Sequence, residues 1–90
     1  MSSTTPWRVV LVKSAHKELA RVPKPDRDRI VRALNAMAAD PFAGDVATLK
    51  HEETGWRRRV GNYRILYDLH VTPRLIIVAG IRRRTTTTYH

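Results

Sequence analysis

The segment Trp56-Arg57-Arg58-Arg59-Val60-Gly61-Asn62-Tyr63-Arg64-Ile65-Leu66-Tyr67 constrains this chain more than any other stretch. Its aromatic and β-branched content predicts two strands, residues 56–60 and 63–70. They are joined by a tight turn at Gly61-Asn62, where both residues tolerate positive φ. Four arginines fall within the nine residues from Trp56 to Arg64. Like charges that face one another across a sheet repel, so something negative is expected over such a face. A polyphosphate is the natural candidate.

Side chains alternate along a strand. Trp56, Val60, Ile65 and Leu69 then face a core, while Arg57, Arg59 and Arg64 converge on the opposite, open face. Arg58 breaks this scheme, because alternation points it toward the core. Either it lies at the sheet margin with its head group reaching out to water, or a bulge shifts the register.

The rest of the chain supplies the elements around this hairpin. Residues 7–12 are largely β-branched and predict a first strand. Ser14 is placed to cap a short helix over residues 15–21, with Leu19 facing inward. Pro23 and Pro25 break that helix, and Asp26 is a cap for a longer one. Ile30, Ala33, Leu34 and Met37 recur there at helical spacing, with Asp28, Arg32 and Asn35 on the other side. Asp40-Pro41 ends it, since a residue before proline disfavours the helical region. Residues 41–55 read as a loop. After the hairpin, residues 71–74 turn around Pro73, and the apolar run 75–79 reads as a strand covered on both faces. The expected fold is α+β in the order β-α-α-β-β-β, a small, mainly antiparallel twisted sheet with two N-terminal helices on one face.

Ninety residues form one domain, residues 1–90, with a loose tail at 1–6 and a basic tail at 83–90 that carries Tyr89. The start lacks the order of a secretory signal, and no apolar run is long enough to cross a bilayer. Cysteine is absent, so no thiolate metal site exists. The expectation is a cytoplasmic protein with no membrane partner, no metal and no cofactor. The charge is lopsided, with 17 Lys+Arg against 8 Asp+Glu and a formal +9. Thirteen of the basic residues are arginine, whose planar fork suits phosphate and stacks on bases. Nucleic acid, an anionic membrane or an acidic protein are the partners this charge selects. His16, His51, His70 and His90 are scattered without metal-ligand spacing.

Several stretches together resemble the RelE/ParE superfamily of toxins from type II toxin–antitoxin modules, over residues 7–90. They are Ala15-His16-Lys17-Glu18-Leu19, Asp40-Pro41-Phe42, Leu49-Lys50, the arginine hairpin, and Ile81-Arg82-Arg83-Arg84 with Tyr89. The resemblance implies a twisted sheet with two N-terminal helices and a ribonuclease acting on mRNA in the ribosomal A site. An acidic antitoxin would neutralise it in a hetero-oligomer. By the same resemblance, Arg57 and Arg59 embrace the scissile phosphate and Arg64 also binds it. Arg83 stabilises the leaving group and Tyr89 is the base for the ribose 2′-OH. Lys50, Arg58, Arg82 and Arg84 would contact RNA, with His90 as a possible accessory to catalysis.

This sequence departs from the family pattern in carrying arginines where the best-known members have lysines. Where some relatives use a loop glutamate it has Ala47, with Glu52 and Glu53 nearby. A competing expectation, from a different class, is a ParE-like toxin that inhibits gyrase without cutting. A third is a degenerate relative that only binds RNA or its antitoxin. The full set of Arg57, Arg59, Arg64, Arg83 and Tyr89 favours the nuclease.

Overall fold

The computed structural model describes residues 6–49 and 54–83. Their elements run β1 (Arg8–Leu11), α1 (Lys13–Arg21), α2 (Lys24–Ala39), β2 (Asp45–Thr48), β3 (Trp56–Val60), β4 (Tyr63–His70) and β5 (Leu75–Arg83). The strands form one sheet in the order β1-β5-β4-β3-β2. β1 runs parallel to β5, and the other three pairings are antiparallel. The expected α+β architecture holds, with one strand more. β2 lies in the stretch expected to be loop. It is a four-residue edge strand that pairs only with β3, too short for alternation to stand out in the sequence.

Both helices begin earlier than their expected caps. Val12 occupies the cap position of α1 in an extended conformation, so Ser14 falls inside the first turn. Pro23 follows directly on the end of α1 at Val22 and occupies the cap position of α2, and Pro25 sits in the opening turn of α2. The first N–H groups of a helix have no acceptor within the helix, so a proline there forfeits nothing and arrives with a suitable φ. Asp26 contributes instead as a negative charge at the positive end of α2. Asp40 closes the helix in an extended conformation, and its Oδ1 accepts the Phe42 N–H at 2.9 Å.

The core lies between the helices and one face of the sheet. Ala15 of α1 and Ile30, Ala33, Leu34 and Met37 of α2 meet Tyr63, Ile65 and Tyr67 of β4 and Ile76, Val78 and Ile81 of β5. The helical stripe expected for α2 is thus its buried face. At one end, Trp56 stacks on Tyr67 at 6.5 Å between ring centroids, and Phe42 meets Trp56 edge-on at 5.3 Å. Tyr67 is fully buried, and its hydroxyl donates to the carbonyl of Pro41 at 2.9 Å.

One irregularity governs the open face. Leu66 pairs with Gly80 but Tyr67 pairs with Val78, which leaves Ala79 without a partner in β4. This is a β-bulge, and one extra residue reverses which side every later side chain takes. Ile76 and Val78 face the core before it, and Ile81 faces the core after it. Unbroken alternation would have sent Ile81 to the open face and Arg82 into the core.

Replacing Tyr67 with Phe removes the donor for the buried Pro41 carbonyl and is expected to destabilise the fold by about 1–2 kcal/mol in denaturant titrations. Burial pushes the Tyr67 phenol up from 10.0 to about 12, against the opposing pull of Arg58 and Arg57. The folded state therefore holds this proton more tightly than the unfolded chain. Its contribution is complete below about pH 10 and is lost as the pH rises toward 12. Unfolding midpoints measured across that window should fall more steeply for the wild type than for Tyr67→Phe.

Candidate functional site

Strand register assembles a row of charged residues on the open face. Asp45 of β2 pairs with Arg59 of β3, Arg59 with Arg64 of β4, and Arg64 with Arg82 of β5. The adjacent row is Ala47, Arg57, Leu66 and Gly80. Directly opposed side chains in such pairs have Cβ atoms about 5 Å apart. Four guanidinium groups thus gather over three neighbouring strands, against the repulsion that such a grouping incurs.

Two carboxylates offset that repulsion at the ends of the row. Arg57 Nη1 donates to both the backbone carbonyl of Asp45, at 3.0 Å, and its Oδ1, at 3.2 Å. Arg59 Nη1 lies 3.7 Å from the other carboxylate oxygen. At the opposite end, Glu18 of α1 pairs with Arg82 Nε at 3.3 Å. The same carboxylate accepts the Ile81 N–H at 2.9 Å. β1 pairs with β5 only through Val78, so Glu18 satisfies a backbone donor beyond the end of that pairing. The Arg82 side chain folds back over Gly80, where an added Cβ would come within 3.0 Å of its Nε.

Arg64, in the middle, differs from its neighbours. Its Nε is buried and has no hydrogen-bond partner among the described residues. A buried, charged donor without an acceptor is costly, and the Nε of Arg58 on the helix side shares that state among the described residues. Beside it, Leu66 also faces the open side yet is only 7 % exposed, and it lies outside the main core cluster.

The expected group is therefore brought together in part. Arg57, Arg59 and Arg64 share the open face as alternation required. Arg83 does not join them. It pairs with Tyr63, whose ring is in the core, so it projects on the helix side at the end of β5. The bulge at Ala79 puts Arg82 in the place expected for Arg83. Arg58 is likewise separate from the row. β3 has no bulge, and Arg58 lies on the helix side, where its Nη1 donates to the Ala33 carbonyl at 3.2 Å. Its guanidinium covers Gly44, at a point where an added Cβ would be only 2.8 Å away. Gly44 also has φ +89, so both its backbone and its missing side chain are needed there. Lys50, Arg84, Tyr89 and His90, together with Glu52 and Glu53, lie outside the described residues.

Asp45 and Glu18 are members that sequence reasoning did not assign. Asp45 sat in a stretch read as loop, and Glu18 in a helix motif read only for family likeness. Ala47 pairs with Arg57, so a carboxylate at that position would stand beside the row, and this chain has a methyl group instead. Among the described residues no group of three or more His, Cys, Asp or Glu is placed to hold a metal ion, and no helix is long and apolar enough to cross a membrane.

No protein-family model and no curated protein matches the chain by sequence. Solved structures do match in shape. One is a chain of the RelBE2 toxin–antitoxin complex from Mycobacterium tuberculosis, 21% identical, with a TM-score of 0.77 over 88% of this chain and 99% of that one. An archaeal RelE–RelB complex from Pyrococcus horikoshii contributes a chain 23% identical, with a TM-score of 0.79 over 91% and 99%. A YoeB/ParE toxin from Agrobacterium tumefaciens is 20% identical, with a TM-score of 0.71 over 87% and 99%. Each is matched over 99% of its length. The chain has the RelE-like α+β fold.

Proposed function

We propose that this chain is the toxin of a toxin–antitoxin pair and that it cleaves mRNA on the ribosome, using the open face of its sheet. The observation that carries this reading is the in-register row Arg59, Arg64 and Arg82 with Arg57 beside it, centred on a guanidinium nitrogen that lacks an acceptor among the described residues. Such a surface fits a phosphodiester, whose oxygens accept from several planar donors at once. The likeness to chains from two toxin–antitoxin complexes supports an antitoxin partner. An acidic segment of that antitoxin would neutralise the same basic face.

The reaction is a transesterification within the RNA. The ribose 2′-oxygen attacks the adjacent phosphorus and gives up its proton to a base. The bond from phosphorus to the 5′-oxygen of the next nucleotide breaks, and that oxygen takes up a proton. The products are a 2′,3′-cyclic phosphate and a 5′-hydroxyl end. Negative charge grows on the phosphoryl oxygens, and donors already in position stabilise it without reorganising. In this reading Arg64 meets the scissile phosphate at the centre of the row, with Arg57, Arg59 and Arg82 around it. Arginine stays protonated near neutral pH, so its part is electrostatic. Tyr89 remains the candidate base. A phenol with an ordinary pKa of about 10 becomes useful there only if neighbouring arginines favour its anion.

Inducing the protein in cells and mapping the 5′ ends of transcripts tests the proposal. Cuts within translated codons are expected. They should fall about 100-fold in Arg64→Ala, the order that matches the loss of about 3 kcal/mol of transition-state stabilisation. They should be lost in Tyr89→Phe. Growth arrest with DNA damage and intact mRNA would sink the proposal in favour of a gyrase inhibitor.

The register adds a sharper comparison. Arg82→Ala should impair cleavage far more than Arg83→Ala. Arg58→Ala should cost about 1 kcal/mol of stability, through its bond to the Ala33 carbonyl, while cleavage by the folded protein persists. Equal losses in Arg82→Ala and Arg83→Ala would show that the row does not define the site.

A further inference from the structure

The row of arginines ends in a carboxylate on each side, and both carboxylates come from elements outside the three strands that carry the arginines. Asp45 holds Arg57 at 3.2 Å and Arg59 at 3.7 Å. Glu18 holds Arg82 at 3.3 Å. Both contacts reach solvent, with the Asp45 side chain 54% and the Glu18 side chain 32% exposed, and each carries a second anchor. The Arg57 side chain is only 15% exposed, and Arg57 also donates to the Asp45 backbone carbonyl. Glu18 is fixed by the Ile81 N–H as well as by Arg82. Arg64 lies between them, and no described carboxylate reaches its buried Nε.

We infer that Asp45 and Glu18 are positioning residues that draw the outer guanidiniums apart and reserve Arg64 for the ligand's phosphate. The inference rests on the reading of this face as a phosphate-binding surface. Its physical content is a trade between affinity and geometry. Each carboxylate repels an incoming phosphate and occupies part of the arginine it holds, which weakens binding. Each also keeps its arginine aligned, which favours stabilisation of the transition state over stabilisation of the ground state. A site made only of arginines would hold RNA more tightly and act on it less well.

The test uses Asp45→Asn and Glu18→Gln, which keep the acceptor oxygen but remove the charge. Asp28→Asn is the control. It makes the same change in net charge on α2, where Asp28 pairs with the exposed Lys24. The binding probes are a short 2′-O-methylated RNA, in which the nucleophile is blocked, and inorganic polyphosphate.

At low salt, Asp45→Asn and Glu18→Gln should each bind the RNA about threefold or more tightly than the wild type. The dependence on salt should also steepen, by roughly 0.7 in log–log slope for each freed contact. Asp28→Asn should match the wild type. On cleavable RNA, KM and kcat should both fall in the two variants. Unchanged or weaker binding in both variants, or a raised kcat, would overturn the inference. A wild type that binds polyphosphate but not RNA would remove the RNA reading, and the same comparison on polyphosphate would still decide the role of the carboxylates. A wild type that binds neither probe would overturn both.

Discussion

A single unpaired residue, Ala79, decides which arginines share a face. The core requires Ile76 and Val78 on the helix side, and it requires Ile81 there as well. An odd spacing cannot be met by a strand of period two without an extra residue. The bulge meets it, and in doing so turns Arg82 onto the open face beside Arg64 while Arg83 goes to the helix side. The arrangement of the charged surface therefore follows from the packing of three apolar residues on its reverse. Gly80, directly after the bulge, then offers the flat backbone over which the Arg82 side chain lies.

The two faces of the hairpin treat arginine differently, and the difference is electrostatic. On the open face, Arg57 and Arg59 share one carboxylate across the edge strand. On the helix side, Arg58 has a backbone carbonyl of α2 as its acceptor, and its Nε is buried without one among the described residues. Its position resembles a snorkelling side chain, with a stem along the apolar margin and a head group at the helix edge. A cation there also bears on Tyr67, whose phenol it favours toward ionisation. Burial opposes this and prevails, so the phenol stays protonated and keeps its bond to Pro41. The basic hairpin and the aromatic cluster of Phe42, Trp56 and Tyr67 are thus coupled through the sheet.

Much of this was legible in the sequence because it follows from period alone. The hairpin, the buried stripe of α2, and the convergence of Arg57, Arg59 and Arg64 need no knowledge of partners in space. What could not be read depends on contacts between distant segments. The bulge at Ala79 answers a demand made by the helices, and nothing in Val78-Ala79-Gly80-Ile81 alone states where the extra residue lies. β2 is too short to show a pattern, so Asp45 could not be seen to stand against Arg59. The caps were misplaced for a local reason. Ser14 and Asp26 have the right side chains, but an extended Val12 and a proline at position 23 start the helices two and three residues sooner.

If the open face cleaves RNA, the row of arginines cannot be the whole catalyst. Arginine neither gives nor takes a proton readily near neutral pH. A base must therefore come from elsewhere, and the described residues narrow the choice. Tyr63 and Tyr67 belong to the core on the helix side, and burial drives the Tyr67 phenol away from ionisation. His70 lies on the same strand as Arg64 and its side chain takes the open face, but six residues of extended strand put it about 20 Å away. His16 is exposed on α1, two residues from Glu18, and residues at that spacing point to different sides of a helix. Among the carboxylates near the row, Asp45 and Glu18 are each paired with its arginines and Asp68 accepts the Gly55 N–H at 2.7 Å. Glu52, Glu53, Tyr89 and His90 lie outside the described residues. In that reading the row would hold the phosphate, and proton transfer would fall to a group other than its arginines.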